Sequence, residues 1–155
     1  TGSSNNNALT LNNSNNATNM WTNPTGCKWI AVSKIHQTTN QIASVGLRAL
    51  TSTNNNNNGN LWFTHTSWSG NFHYLVALGN TEQYLDVGVA VDTNWHTFQG
   101  EQDSTSCKGT LDGILKATLS GANRPDSSQM ASMQMRNLNA SSHSMSIRYF
   151  EVYNT

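Results

Sequence analysis

Apolar and polar residues alternate in short runs along most of this chain, and turn residues interrupt them roughly every 10–12 positions, the spacing of an all-β sandwich or barrel. Lys28–Ile35 is rich in β-branched and aromatic residues and predicts a strand. In Gln41–Leu50 a period of two puts Val45, Leu47 and Ala49 on one face and Gly46, Arg48 and Leu50 on the other. Asn60–Thr66, Phe72–Leu78 and Thr93–Glu101 read as further strands, with Val87–Val91 a short crossing strand. Cys107–Leu111 and Ile114–Leu119 flank Asp112-Gly113, a strong signal for a two-residue hairpin turn. Met130–Leu138 and Ser144–Tyr153 complete the set, and no stretch shows a helical period beyond one turn. Ala8–Leu11 alternates and predicts a short edge strand; the rest of residues 1–25 reads as a polar arm, leaving one domain at 26–155.

The 155 residues suit a single domain. Only 10% are charged, against a typical ~25%, and the formal net charge is zero. Asn, Ser, Thr and Gln must therefore supply the hydrated surface. No basic field is present to attract nucleic acid. No apolar run approaches the ~20 residues that span a bilayer. The Asn54–Asn58 run and Gly59 tolerate left-handed backbone and predict a hairpin loop. Cys27 and Cys107 leave two readings open: buried thiols, or a disulfide closing a loop of about 80 residues and implying an oxidising compartment.

Three segments resemble the concanavalin A-like lectin/glucanase superfamily, in its laminin-G-like and phage-surface branch. They are Gly88–Thr97 with its Trp95-His96 pair, the Thr110–Thr118 hairpin around Asp112-Gly113, and the closing Ser146–Tyr153. The resemblance covers about residues 28–153 and implies an antiparallel jelly-roll β-sandwich of two stacked sheets. Arg148 departs from it, since the family often has Asp in that strand. The resemblance also implies what catalysis would need. Glycoside hydrolases of this fold carry acids as Glu-x-Asp-x-x-Glu on one strand, whereas Glu82, Glu101 and Glu151 stand apart. Alginate lyases of this fold are partly matched by Lys34–Gln37 and Tyr149–Asn154, but their Arg-x-Glu-x-Arg block is absent.

Aromatic residues are the remaining signal. Trp62, Trp68 and Tyr74 fall in one hairpin, and Trp68 lies in its turn, where a ring is hard to bury. An exposed indole beside amides and hydroxyls suits the apolar face of a sugar ring. Arg48 and Arg136 sit on strand faces that could line a groove, and His65 and His73 could meet on one sheet face. Trp29 and Trp95 read as core. Asp86, Asp92, Asp103, Asp112 and Asp126 form no loop motif for calcium, and no metal or cofactor is expected. Asn12, Asn16 and Asn139 begin N-x-Ser/Thr acceptors.

These observations lead to an expectation of a non-catalytic jelly roll, extracellular or on a virion surface, structural or adhesive. Its glycan contacts would come from Trp62, Trp68, Tyr74, Arg48, His65 and Arg136. The polar arm would suit packing on identical or neighbouring subunits. The alternatives are a carbohydrate-binding module of a secreted enzyme and, behind it, a polysaccharide lyase or glycoside hydrolase.

Overall fold

Eleven strands in two antiparallel sheets stack face to face in the computed structural model, which describes residues 8–10, 26–49, 59–65, 68–78, 81–121, 124–125, 129–138 and 142–154. The strands are β1 (Ala8–Thr10), β2 (Cys27–Ile35), β3 (Gln41–Ala49), β4 (Gly59–His65), β5 (Asn71–Leu78), β6 (Thr81–Ala90), β7 (His96–Gln102), β8 (Ser106–Leu111), β9 (Ile114–Ser120), β10 (Gln129–Asn137) and β11 (Met145–Asn154). One sheet runs β1-β10-β3-β4-β5-β6 and the other β11-β2-β7-β8-β9. No helix occurs among the described residues. The Asn54–Asn58 run and the three glycosylation acceptors lie outside the described residues, as does Asp126.

β2 shows why the alternation predicts strands. Cys27, Trp29, Ala31, Ser33 and Ile35 are buried, while Lys28, Ile30, Val32 and Lys34 are half-buried on the other face. β4 and β5 lack that alternation because both of their faces are buried. Their central stretches, Leu61–Phe63 and Tyr74–Leu78, are accordingly unbroken by polar positions. The inner layer packs Trp29, Ala31, Val45, Leu47, Trp62, Phe72, Tyr74, Val76, Phe98 and Leu111 between the sheets. Rings interlock there: Trp62 lies 5.3 Å from Tyr74 and 5.8 Å from Phe98, and Phe72 lies 5.4 Å from Phe98. Each such buried aromatic contributes roughly 2–3 kcal/mol of burial, with further gain from ring geometry.

Polar ties cross this layer. Asn60 Oδ1 accepts from Trp29 Nε1 at 3.2 Å and from the Tyr74 hydroxyl at 2.6 Å. Trp62 Nε1 donates to the Gln99 carbonyl at 2.8 Å. Glycines make room for these rings. A Cβ on Gly100 would meet Asn60 Oδ1 at 2.5 Å, and one on Gly109 would meet the Tyr74 ring at 2.6 Å. The Asp112-Gly113 turn has φ of 51° and 79°, the double positive φ of a type I′ hairpin.

The structure corrects several expectations. β6 extends over Thr81–Ala90 as a full edge strand rather than a short Val87–Val91 crossing. Trp95 is not core: it precedes β7 and is half-buried. Cys27 and Cys107 are free buried thiols, not a disulfide. Cys27 pairs with Gln102, and Gln102 with Cys107, so the two lie two strands apart. That is roughly 9–10 Å at normal strand spacing, beyond disulfide reach. Burial pushes their thiols up to about 11 and about 12, which keeps them protonated and inert. Ala8–Thr10 of the N-terminal segment pairs with Arg136–Gln134 of β10 in the chain's own sheet.

Candidate functional site

The outer face of the six-stranded sheet carries the polar and aromatic groups that the core excludes. Strand register lays them out in rows. One row runs Gln134, Ser44, Phe63, His73, and the next runs Ser132, Gly46, Leu61, Leu75, Tyr84. Arg136, Ile42 and His65 form a third row at one end. Most of the β10, β3 and β4 part is buried, whereas β6 and the Trp68–Gly70 turn are open.

Trp68 is 48% exposed and Tyr84 54% exposed, their rings 5.1 Å apart. Trp68 is nonetheless fixed. His65 stacks on it at 4.8 Å and 13°, Phe63 meets it edge-on at 5.3 Å, and the Trp68 backbone N–H donates to the His65 carbonyl at 3.0 Å. Behind this pair, Phe63 stacks on His73 at 5.0 Å. Asp86 organises the rim: it accepts from Ser69 Oγ (2.7 Å), Asn71 Nδ2 (3.0 and 3.2 Å) and Gly88 N–H (2.8 Å). The Gly88 and Ser69 hydrogen bonds hold its carboxyl below the usual carboxylate range. Its acceptor sites are then filled, so Asp86 positions Ser69 and Asn71 rather than reaching outward.

His73 Nε2 lies 3.3 Å from Ser69 Oγ and 3.7 Å from Asp86 Oδ2. Its Nδ1 is buried without a hydrogen-bond partner. Ser69 donates to Asp86, so it accepts from Nε2–H, which leaves the Nδ1 lone pair facing the interior. Burial lowers the His73 pKa more strongly than Asp86 raises it, so the ring is neutral at pH 7.

Of the expected site residues, Trp68, His65, Arg136 and Arg48 share this outer face, and His73 joins them. Arg48 is buried, with Nη2 donating to Gln134 Oε1 at 3.0 Å and Ser44 Oγ at 3.3 Å; burial pushes it down to about 10. Trp62 and Tyr74 were misassigned. They are 1% and 0% exposed and point into the inter-sheet core. Tyr84, Ser69, Asn71 and Asp86 were missed. Tyr84-Leu-Asp86 followed by Val87 carried the signal, as a continuation of β6 toward its N-terminus.

A small cavity between the sheets, about 20 Å³ and bordered by Thr64, Phe72 and His96, has room for a water but not for a sugar ring. Among the described residues, no group of three His, Cys, Asp or Glu side chains is placed to hold a metal ion. Glu82 and Asp86 both face outward on β6. Four residues apart on a strand, they are roughly 13 Å from each other, wider than the ~5–9.5 Å of paired glycosidase acids.

The two-layer arrangement has counterparts among solved structures. A β-1,3-glucanase from Mycobacterium marinum superposes with a TM-score of 0.66 at 14% identity, over 86% of this chain and 65% of that one. A glycoside hydrolase family 16 endo-glucanase from Bacteroides ovatus gives 0.66 at 11%, over 94% and 80%. The fold is the antiparallel jelly-roll sandwich that these structures share. The Crh5 transglycosylase shares this jelly roll with a TM-score of 0.64 at 13%, over 95% of this chain and 72% of that one. This chain thus spans just under two thirds of the Mycobacterium marinum glucanase. No protein-family model matches the sequence, and no curated protein matches it. The neighbours overturn one expectation: the jelly rolls that superpose on this chain include glucanases and a transglycosylase, so a protein without catalytic activity is not the reading they support. A structural role on a virion has no counterpart among these three.

Proposed function

We propose that this jelly roll belongs to a polysaccharide-processing protein and engages the sugar chain at the open end of its outer face. The observation that carries this reading is the Trp68–Tyr84 pair: two exposed rings 5.1 Å apart, one locked by stacking on His65, beside hydroxyl and amide groups held by Asp86. A locked ring loses little entropy when a pyranose C–H face packs on it. Ser69 and Asn71 offer fixed polar atoms to the equatorial hydroxyls beside that face. The imidazole in contact with that platform is His65, stacked on Trp68, while His73 is buried behind it and linked to the Asp86 carboxylate through Ser69. The glucanase and transglycosylase likeness supports the glycan class, and the site chemistry supports the location.

Affinity electrophoresis in β-1,3- and mixed-linkage glucans tests the binding. Retardation of the wild-type chain, lost in Trp68→Ala, is the expected result. Equal mobility of the two proteins in every glycan overturns it. Incubation with the retarding glycan, followed by a reducing-end assay and product sizing, tests turnover, with Trp68→Ala as the variant expected to slow it.

A further inference from the structure

A second cluster lies at the same end of the sandwich, on the five-stranded sheet. The loop that follows β6 starts with Val91 N–H donating to the Gly70 carbonyl at 2.8 Å, so it abuts the Trp68 turn. Phe72 and His96 rings, 5.1 Å apart, tie the two sheets together there. The loop ends at Trp95. Arg148 Cζ lies 3.9 Å from the centre of that indole, and Lys34 Nζ lies 5.3 Å from it. Ser146 pairs with Lys34 across β11 and β2, and the register slips between Ile147 and Tyr149, so Arg148 is the extra residue of a β-bulge. A bulge re-aims a side chain, and here it lays the guanidinium on the ring.

Stacking on the indole satisfies the face of the guanidinium and none of its five N–H donors, which lie in its plane. Arg148 is exposed. Among the described residues neither Arg148 nor Lys34 has a carboxylate partner. Asp92, three residues before Trp95, is taken up by His96 at 2.9 Å, as is Asp112 at 2.6 Å; Glu151, three residues after Arg148, accepts from the Tyr149 hydroxyl. Two cations in a chain with only eight Lys and Arg thus stand together, one of them immobilised, with no internal anion.

We propose that Trp95, Arg148 and Lys34 form an anion subsite for the acidic group of a charged polysaccharide, a carboxylate or a sulfate ester, on the five-stranded sheet at the same end of the sandwich as the Trp68 platform. Arg148 holds two of the anion's oxygens through paired N–H donors, and Lys34 supplies the second charge. This rests on the glycan reading above and narrows it to acidic glycans.

Titration calorimetry at low and high salt with polygalacturonate, κ-carrageenan and neutral laminarin tests the proposal, using wild type, Arg148→Ala, Lys34→Gln and Trp68→Ala. Arg148 is exposed on a bulge, and unchanged melting curves confirm that its variant folds. Wild type is expected to bind one of the acidic glycans about tenfold more tightly than laminarin at low salt. Whichever it prefers identifies the group as carboxylate or sulfate. Arg148→Ala and Lys34→Gln should each remove most of that preference and flatten its salt dependence, while laminarin binding stays unchanged. Trp68→Ala should weaken all three. Laminarin binding without acidic preference, or an acidic preference untouched by Arg148→Ala, overturns the anion subsite alone. No glycan binding by any protein overturns the glycan reading and the subsite with it. Tighter binding of single-stranded DNA than of any glycan, dependent on Arg148, overturns the assignment to sugar.

Discussion

Two histidines at the same end of the sandwich sit beside aspartates and end in opposite states. His73 has one aspartate, 3.7 Å away and shared with Ser69, and its other nitrogen faces the interior. His96 lies between two aspartates, with Asp112 Oδ2 at 2.6 Å from Nδ1 and Asp92 Oδ1 at 2.9 Å from Nε2. Burial lowers both pKa values. At His73 burial prevails; at His96 it is outweighed by the hydrogen bonds that the ring donates to Asp112 and Asp92, and the pKa is raised. An imidazole whose nitrogens both face carboxylates must carry two protons to satisfy them, whereas one with an empty side needs only one. The lesson is that the number of nitrogens answered, more than the nearness of an acid, decides the charge.

The contrast breaks most severely at His96. His96→Ala leaves Asp92 and Asp112 facing each other, and should cost about 2 kcal/mol of stability at pH 6 by urea unfolding. The raised pKa sets the pH window. Its stabilisation is complete below the unfolded value near 6.5 and is lost as pH rises through the folded value, so the variant's deficit should shrink by pH 9. A deficit constant from pH 5 to 9 would show that the ring acts by packing alone.

On the other side, Trp68→Ala removes the platform that His65 and Phe63 brace. It should reduce glycan affinity about tenfold or more, roughly 1.4 kcal/mol, with little change in unfolding midpoint because the ring is half exposed. A smaller effect is expected for His73→Gln. A depressed histidine pKa means that the unfolded chain binds the extra proton, so wild-type stability should fall as pH drops below about 6.5, and the Gln variant should flatten that fall. The two histidines thus tilt the pH–stability curve in opposite directions, and each single variant exposes the slope of the other. The finest test is a proton NMR titration. The His96 ring should titrate above 6.5 and the His73 ring below it, and Asp86→Asn should lower His73 further by removing its one raising charge.

Much of the fold is legible in the sequence because most strands bury one face. The Val45, Leu47 alternation and the Asp112-Gly113 turn are read directly. Site assignment fails where that logic fails. Leu61, Trp62 and Phe63 are all buried, so nothing in their pattern tells which ring faces the core, and Trp62 and Tyr74 were grouped with Trp68 only by nearness in the chain. The first half of β6 was lost because Glu82 and Gln83 dilute its strand character. Asp92 and Asp112 are twenty positions apart, and only the β7–β8 pairing and the hairpin beyond it bring both to one imidazole. Trp95 has apolar company in sequence, yet falls one residue before the strand begins.

The strand pairings also constrain how the molecule is made. β1 and β2 find their neighbours in β10 and β11, more than a hundred residues downstream. A nascent chain leaving the ribosome therefore holds β1 and one edge of β2 without these partners until β10 and β11 have emerged. Such late closure favours slow assembly and a long window for chaperone capture or mispairing between chains.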